Sequence, residues 1–392
     1  MTHRERILAA IRGEAPDRLP WVPRLEFWHR AALRGGSLPP ELDGLSLEQI
    51  ARRLGVGVYA TIPDFTDIPE HGADADRCLG LHSSTSIPYD IALRNVERRV
   101  STRDHATEVE YRTPAGTIRT ASVYTEEMLD AGASVPWVTR QAISAPWDFE
   151  AAGYLFENIE VRPRPERYFA LQEKVGEDGV AVAYTLGTVC PLHLIMKELM
   201  TVETFFYAMA DYPEKIMRLC EQIEPLFERI KQIAAGLPAE VVFLGANYDD
   251  AITYPAFFRK HFLPPLRAYA DLLHARGKYL MTHTDGENQK LLGPYLDSGF
   301  DVADSVCPHP MTRCRLEELY DTFAGRITIW GGIPSILLCK DSASWEDFRR
   351  FIDDTVARYH GRGNLVLGVS DMVTADADWG RFLYIGEKVA NP

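Results

Sequence analysis

The chain has 392 residues, of which 46% are hydrophobic and 25% charged, and its formal net charge is −14. This composition is typical of a globular protein and excludes a disordered or collagen-like chain. The acid excess argues against nucleic acid or an anionic lipid surface as a partner. Because no run of 18 apolar residues occurs, we expect no membrane span.

The first residues of the chain and its cysteine content both predict a cytoplasmic location. Residues 1–14 carry charges throughout, which indicates an amphipathic helix rather than a signal peptide. The 6 cysteines show no Cys-x-x-Cys spacing, and a chain of this length does not need disulfides to fold. We therefore predict reduced thiols in a cytoplasmic protein.

Eight short runs rich in valine, isoleucine and leucine predict strands buried on both faces, as in a parallel sheet. They are residues 19–23, 56–62, 180–186, 241–246, 278–283, 301–304, 327–331 and 365–369. Helical patterns follow from the third run onward, the longest of them at 255–276. A strand followed by a helix, repeated eight times, predicts the α/β class and a (β/α)8 TIM barrel formed by one domain, residues 1–392.

The stretch 63–179 interrupts this alternation. Alternating segments at 108–112 and 117–124, joined by Thr113-Pro-Ala-Gly116, predict a β-hairpin. Helical patterns follow near 147–158 and 165–176. We interpret the stretch as an α+β insertion after the second strand that lies near the barrel mouth, since loops after barrel strands emerge at the catalytic face.

Reactive groups in a barrel lie at the carboxyl ends of the strands. His283 and Asp285 end the fifth predicted strand, and residues two apart on an extended segment point to the same side. The pair suits metal ligation or a proton relay in which the carboxylate orients the imidazole. The alternative is that Asp285 caps the next helix.

Two further strand ends carry candidate groups. After the fourth strand, Tyr248 suits ligand stacking, and one acid of Asp249 and Asp250 caps the next helix. Asp249 is the candidate for general acid or base work. After the sixth strand, Cys307 and His309 suit extra metal ligands beside His283, the alternative being that Cys307 packs in the core.

The first and last strands contribute groups to the same mouth. Arg24, just after the first strand, suits a bidentate carboxylate clamp, or else pairs with Glu26. Ser370 and Asp371 end the eighth strand, and Tyr184 lies in the third. No phosphate-loop, zinc-protease or serine-hydrolase motif is present, and the glycine pattern at 55–60 opens a strand instead of joining a strand to a helix.

Several segments together resemble the uroporphyrinogen decarboxylase superfamily, which includes corrinoid-dependent methyltransferases. These segments are residues 4–20, Ala246 with Tyr254-Pro255 and Pro264-Pro265, Gly331-Gly-Ile-Pro334, and the residues around Gly368. The resemblance spans nearly the whole chain and implies a TIM barrel. For the decarboxylases it implies an arginine-rich first loop and a histidine after the eighth strand, where this chain has only Arg24 and Asp371.

The methyltransferase branch implies a zinc ion held by His-x-Cys after the fifth strand and by a later cysteine. Here His283 matches, Asp285 replaces the first cysteine, and Ser370 or Asp371 stands near the second. Oxygen ligands would leave a more Lewis-acidic metal. The Thr113–Thr117 hairpin turn also resembles members that demethylate methoxylated aromatic compounds.

These points lead to one main hypothesis. A small methoxylated, aromatic substrate binds near Arg24, Glu26, Phe27, Trp28, Tyr184, Tyr248 and Asp371. His283 and Asp285, alone or through zinc, polarise the ether oxygen, and the methyl group passes to a corrinoid (cobalamin) on a partner carrier protein. The alternatives are decarboxylase or lyase chemistry on a small acid, with Asp249 as proton donor, and a barrel that only binds a ligand.

Overall fold

The computed structural model of the chain describes residues 1–60, 75–82, 84–133, 135–245 and 247–392. The end of the second predicted strand at 61–62, the beginning of the predicted insertion at 63–74, and Ala246 lie outside the described residues.

The described residues form strands and helices that change in character along the chain. The strands are β1 (Tyr89–Leu93), β2 (Glu97–Arg103), β3 (Ala106–Thr113), β4 (Gly116–Val123), β5 (Trp137–Arg140), β6 (Ile159–Pro163), β7 (Ala183–Tyr184), β8 (Val241–Phe243), β9 (Tyr279–His283), β10 (Val302–Val306), β11 (Thr328–Pro334) and β12 (Leu365–Ser370). The helices are α1 (His3–Ile11), α2 (Glu26–Gly35), α3 (Leu47–Leu54), α4 (Glu126–Asp130), α5 (Asp148–Glu157), α6 (Pro165–Val175), α7 (Pro191–Leu194), α8 (Val202–Asp211), α9 (Pro213–Gly236), α10 (Pro255–His261), α11 (Leu263–His274), α12 (Leu292–Ser298), α13 (Leu316–Phe323), α14 (Trp345–Tyr359) and α15 (Trp379–Ala390).

A six-stranded parallel sheet, β7 to β12 in sequence order, forms the centre of this α/β fold. These strands confirm six of the eight predicted ones. Their side chains are buried on both faces, apart from the half-buried Tyr279 at the start of β9, because helices follow the strands and cover the sheet. In the register of β9 with β10, His283 lies opposite Asp304.

The first two predicted strands form only isolated parallel bridges in the described residues. Trp21 pairs with Leu367 of β12, and Val58 pairs with Gly179. The amide of Gly57 also donates to the carbonyl of Trp21, over 2.8 Å. Two prolines, Pro20 and Pro23, flank Trp21, and a proline nitrogen cannot donate to a ladder, so the first strand stays short.

The predicted hairpin is confirmed, and it belongs to a larger antiparallel sheet. Strands β3 and β4 pair from Thr113 with Gly116 outward, and β2 and β5 flank them. A second antiparallel pair, β1 with β6, was not predicted. The sheet packs against α5, and α5 packs against α9.

The long helix predicted at 255–276 is two helices, α10 and α11, which meet at Phe262. Pro264 and Pro265 occupy the first turn of α11, and a proline inside a continuous helix would remove a hydrogen bond and clash with the preceding turn. The break therefore follows directly from the sequence Leu263-Pro-Pro265. Every helix in the described ranges is too short or too polar to cross a membrane.

Candidate active site

Three strand ends of the parallel sheet bring ionisable side chains together. His283 is the last residue of β9, Asp304 and Ser305 lie in β10, and Asp371 directly follows β12. The carboxyl ends of parallel strands meet at the same edge of a sheet. These four residues and Arg24 form what we call the central cluster.

His283 is held between two carboxylates. Its Nδ1 lies 2.7 Å from Oδ2 of Asp304, and its Nε2 lies 3.8 Å from Oδ1 of Asp371. Burial lowers the pKa of His283, but the hydrogen bond with Asp304 and the charges of Asp371 and Asp304 outweigh burial and raise that pKa above its usual value. The protonated form of the ring is thus favoured by Asp304 at Nδ1, while Nε2 lies too far from Asp371 for a hydrogen bond.

Arg24 neutralises Asp371. Its Nη1 lies 3.1 and 3.3 Å from the two carboxylate oxygens of Asp371, and its Nε lies 3.8 Å from Glu26. Burial would raise the pKa of Asp371, yet the charges of Arg24 and His283 outweigh that effect and lower it. Because the guanidinium already faces two carboxylates of the chain, its contacts argue against the predicted clamp for a substrate carboxylate.

Ser305 also contacts the carboxylate of Asp371. Its hydroxyl donates to Oδ1 of Asp371 over 2.6 Å. Ser305 has a φ of 58°, in the left-handed region that non-glycine residues rarely occupy, and the pairing of β10 with β11 is irregular here. A bulge of this kind re-aims a side chain next to an active site.

Tyr59 reaches across to the same cluster, although the sequence did not single it out. Its hydroxyl donates to both carboxylate oxygens of Asp304, each at 3.1 Å. Its ring lies under the Arg24 guanidinium at 5.7 Å and against the Trp330 edge at 5.9 Å. The only signal for it was its place in the middle of the second predicted strand, residues 56–62.

Asp285 lies beside the cluster without a hydrogen bond to His283. Burial raises the pKa of Asp285, and the positive charge of His283 partly offsets that rise. The carboxylate that orients His283 is thus Asp304 of the neighbouring strand and not Asp285, which corrects the sequence-based pairing.

The fourth strand places its predicted residues elsewhere. Tyr248 is fully buried, its hydroxyl is hydrogen bonded with Thr282, and its ring packs against Phe258 and Tyr295. The side chain of Asp249 accepts a hydrogen bond from the amide of Ala251, two residues on, and this contact closes a local turn. Tyr248 is therefore a core residue, and Asp249 has a local structural role.

Two other candidates also serve packing or face away. Trp28 is buried and stacks on Trp379 with ring centroids 4.7 Å apart, whereas Phe27 beside it is half-buried. His309 is exposed and lines a groove with Arg315 and Arg350 on the outside of the fold. Neither Trp28 nor His309 contributes to the central cluster.

Two of the predicted zinc ligands contact other side chains of the protein. Among the residues that the structure describes, no group of three or more histidine, cysteine, aspartate or glutamate side chains is arranged to hold a metal. Nδ1 of His283 faces Asp304, which leaves Nε2 as the ring nitrogen that could bind a metal, and Asp371 contacts Arg24 and Ser305. Burial raises the pKa of the Cys307 thiol to about 12.

Comparison with solved structures supports the fold, whereas comparison with known sequences finds no match. No family model matches the chain, and no curated protein sequence matches it. Among solved structures, the chain is similar to a methyltransferase from Methanosarcina mazei, with 14% identity and a TM-score of 0.57. The match covers 100% of this chain and 98% of that one. Over its whole length, therefore, the chain has the fold of this methyltransferase.

Proposed function

We propose that the chain is a methyltransferase that removes the methyl group of a small methoxylated aromatic compound and passes it to a corrinoid on a partner protein. The observation that carries the proposal is the His283–Asp304 pair, a buried acid at the strand ends of a fold shared with a methyltransferase. The sequence resemblance to corrinoid-dependent methyltransferases supports the choice of acceptor.

We infer further that the segments around Trp21 and Val58 complete the parallel sheet to a closed (β/α)8 barrel. The hydrogen bonds from Val22 to Leu367 and from Val182 to Ala60 support closure at both edges of the six strands. We also propose that the insertion predicted at 63–179 lies near the barrel mouth. Contacts of Arg34 in α2 with Glu126 and Asp130 of α4 support it, because α2 begins two residues after Arg24.

In the proposed reaction, the methyl–oxygen bond breaks and the oxygen keeps the bonding electron pair. A reduced corrinoid on the partner protein would supply the electron pair for the new bond to carbon. His283 donates its Nε2 proton to the departing oxygen, and Asp304 stabilises the cationic ring before that transfer. Arg24 and Ser305 keep Asp371 ionised and away from the proton.

The charges of the central cluster support a neutral substrate. With Glu26, which lies beside the cluster, three carboxyl groups (Glu26, Asp304 and Asp371) face two bases (Arg24 and His283) before Asp285 is counted. A substrate carboxylate would meet this excess and be repelled. Decarboxylation of a small acid, the alternative from the sequence, is therefore less well supported.

The test incubates purified protein with reduced cobalamin and a panel of methoxybenzenes and follows methylcobalamin formation by its absorbance. We expect turnover by the wild type and a loss of about 100- to 10,000-fold in His283→Gln, because general acid catalysis contributes that much. The matched control is His274→Gln, since His274 pairs with Asp301 outside the cluster. No methylcobalamin with any compound, or full activity of His283→Gln, would contradict the proposal.

The ligand-binding alternative predicts a different result. A barrel that only binds its ligand would bind a methoxybenzene without forming methylcobalamin, and His283→Gln would leave that binding unchanged.

A further inference from the structure

A cavity of about 230 Å³ lies between α3 and α6, beside the segment that contains Val58. Its walls are mainly apolar. The apolar side chains of the wall include Leu47 and Ala51 of α3 and Leu171 of α6.

Two residues of the cavity wall contact the central cluster. Tyr59 lines the cavity and donates its hydroxyl to Asp304, the partner of His283. Glu26 lines the cavity too, and it lies 3.8 Å from Nε of Arg24. Tyr59 therefore links the cavity wall directly to the His283–Asp304 pair.

The charged groups on the cavity walls are already paired. Nζ of Lys174 lies 2.6 Å from Glu48, and Nη2 of Arg167 lies 2.7 Å from Asp90. Both cations are thus neutralised by carboxylates of the chain. A carboxylate on the ligand would face Glu26 and Glu48 on the wall and find both cations already paired, whereas a neutral ligand would not be repelled.

The volume limits the size of the ligand. An apolar cavity of about 150 Å³ holds benzene, so about 80 Å³ more leaves room for one or two small substituents. A tetrapyrrole ring is far too large for this space. We propose that this cavity is the binding site for the ring of a neutral methoxybenzene, whose polar substituents face Tyr59 and Glu26.

This inference rests on the proposed function, in which the bound ring belongs to the methyl donor, but it is tested without methyl transfer. Binding of 2-methoxyphenol to the full-length protein is measured by isothermal titration calorimetry with no corrinoid present. Leu171→Trp and Leu47→Trp fill the cavity from opposite walls, and we expect each to raise the Kd at least about 10-fold, which corresponds to about 1.4 kcal/mol.

The control variant is Phe169→Ala, because Phe169 lies on α6 but is exposed and is not part of the cavity wall. We expect its Kd to stay within about twofold of the wild type, since surface changes remote from a site alter energies by about 0.5 kcal/mol or less. Circular dichroism establishes that each variant is folded, and the two filling variants are independent, so one folded variant is enough to decide.

The charge of the ligand is tested with 4-hydroxy-3-methoxybenzoate, which adds a carboxylate to the same ring. We expect it to bind at least about 10-fold more weakly than 2-methoxyphenol, because its carboxylate would face Glu26 and Glu48 on the cavity wall. Tighter binding of the benzoate, no binding of 2-methoxyphenol, or unchanged binding in both filling variants would overturn the inference. Binding as expected without any methylcobalamin formation would leave the cavity assignment intact and contradict the proposed function.

Discussion

His283 owes much of its raised pKa to Asp304, a residue on the neighbouring strand. In Asp304→Asn, the imidazole loses a charged partner, so we expect the pKa of His283 to fall toward or below the usual value, because burial then prevails. The measurement is an NMR titration of the His283 ring protons. Asp285→Asn is the matched control and should lower that pKa less. The charge of Asp285 raises the pKa of His283 less than the charges of Asp371 and Asp304 do, and Asp285 forms no hydrogen bond with the ring.

The raised pKa of His283 also makes the stability of the fold depend on pH. Because the pKa of folded His283 is raised, its protonation stabilises the fold fully below about pH 6.5, the unfolded value, and this contribution is lost as pH rises through the folded pKa. In Asp304→Asn, denaturant unfolding should show a smaller loss over that window. An equal loss, or a larger pKa drop in Asp285→Asn, would contradict the assignment of Asp304.

Among individual residues, the sequence pointed to His283, Arg24 and Asp371, because each stands at a predicted strand end. It did not pair His283 with Asp304, since a period-two pattern relates residues only within one strand. The pairing depends on the lateral register of β9 and β10, which places the two residues opposite each other. Tyr59 was missed because it acts across the sheet and not along the chain.

Among the elements, the contact between the second extended segment and the start of the third depends on Gly179. A Cβ at this position would lie 2.4 Å from the carbonyl oxygen of Val58, its partner in the parallel bridge. Backbone cannot move aside as a flexible side chain can, so we expect Gly179→Ala to lower the free energy of unfolding by about 1–3 kcal/mol. Denaturant titration measures this loss.

The control is Gly386→Ala in α15, where no atom lies within 4 Å of the added Cβ. Alanine is favoured over glycine in a helix by about 1 kcal/mol, so this variant should be at least as stable as the wild type. A Gly179→Ala variant as stable as the wild type would show that the bridge tolerates the added methyl group.

Element prediction succeeded where strands were buried on both faces and failed where proline intervened. The runs behind β7 to β12 are rich in apolar residues and lack period-two alternation, a pattern typical of strands buried on both faces. Pro20 and Pro23 kept the first strand to a single bridge, and Pro264 and Pro265 split the predicted helix at 255–276. In each case, the proline signal was present in the sequence and outweighed the apolar pattern.

For the molecule as a whole, stability should differ between the two sheets. The side chains of β2 are exposed on both faces and β2 pairs only with β3, whereas β11 is buried throughout and pairs on both sides. Amides at an edge with few apolar contacts exchange through small local openings. Hydrogen–deuterium exchange should therefore label β2 well before β11, and equal protection of the two would contradict this expectation.

The whole-molecule arrangement was predictable in outline because strands and helices alternate along much of the chain. The position of the antiparallel sheet was less predictable. It is set by packing of α5 on α9 and of α4 on α2, contacts between segments far apart in sequence that no local pattern encodes.

The ion pair of Arg24 with Asp371 joins residues 347 positions apart. During synthesis on the ribosome, Arg24 emerges early and remains without this counter-ion until almost the whole chain has been made. The bridge of Trp21 with Leu367 has the same dependence. Contacts of such long sequence separation form late and slowly. The central cluster is consequently assembled only after translation has passed residue 371, so a nascent chain released before that point lacks the complete cluster.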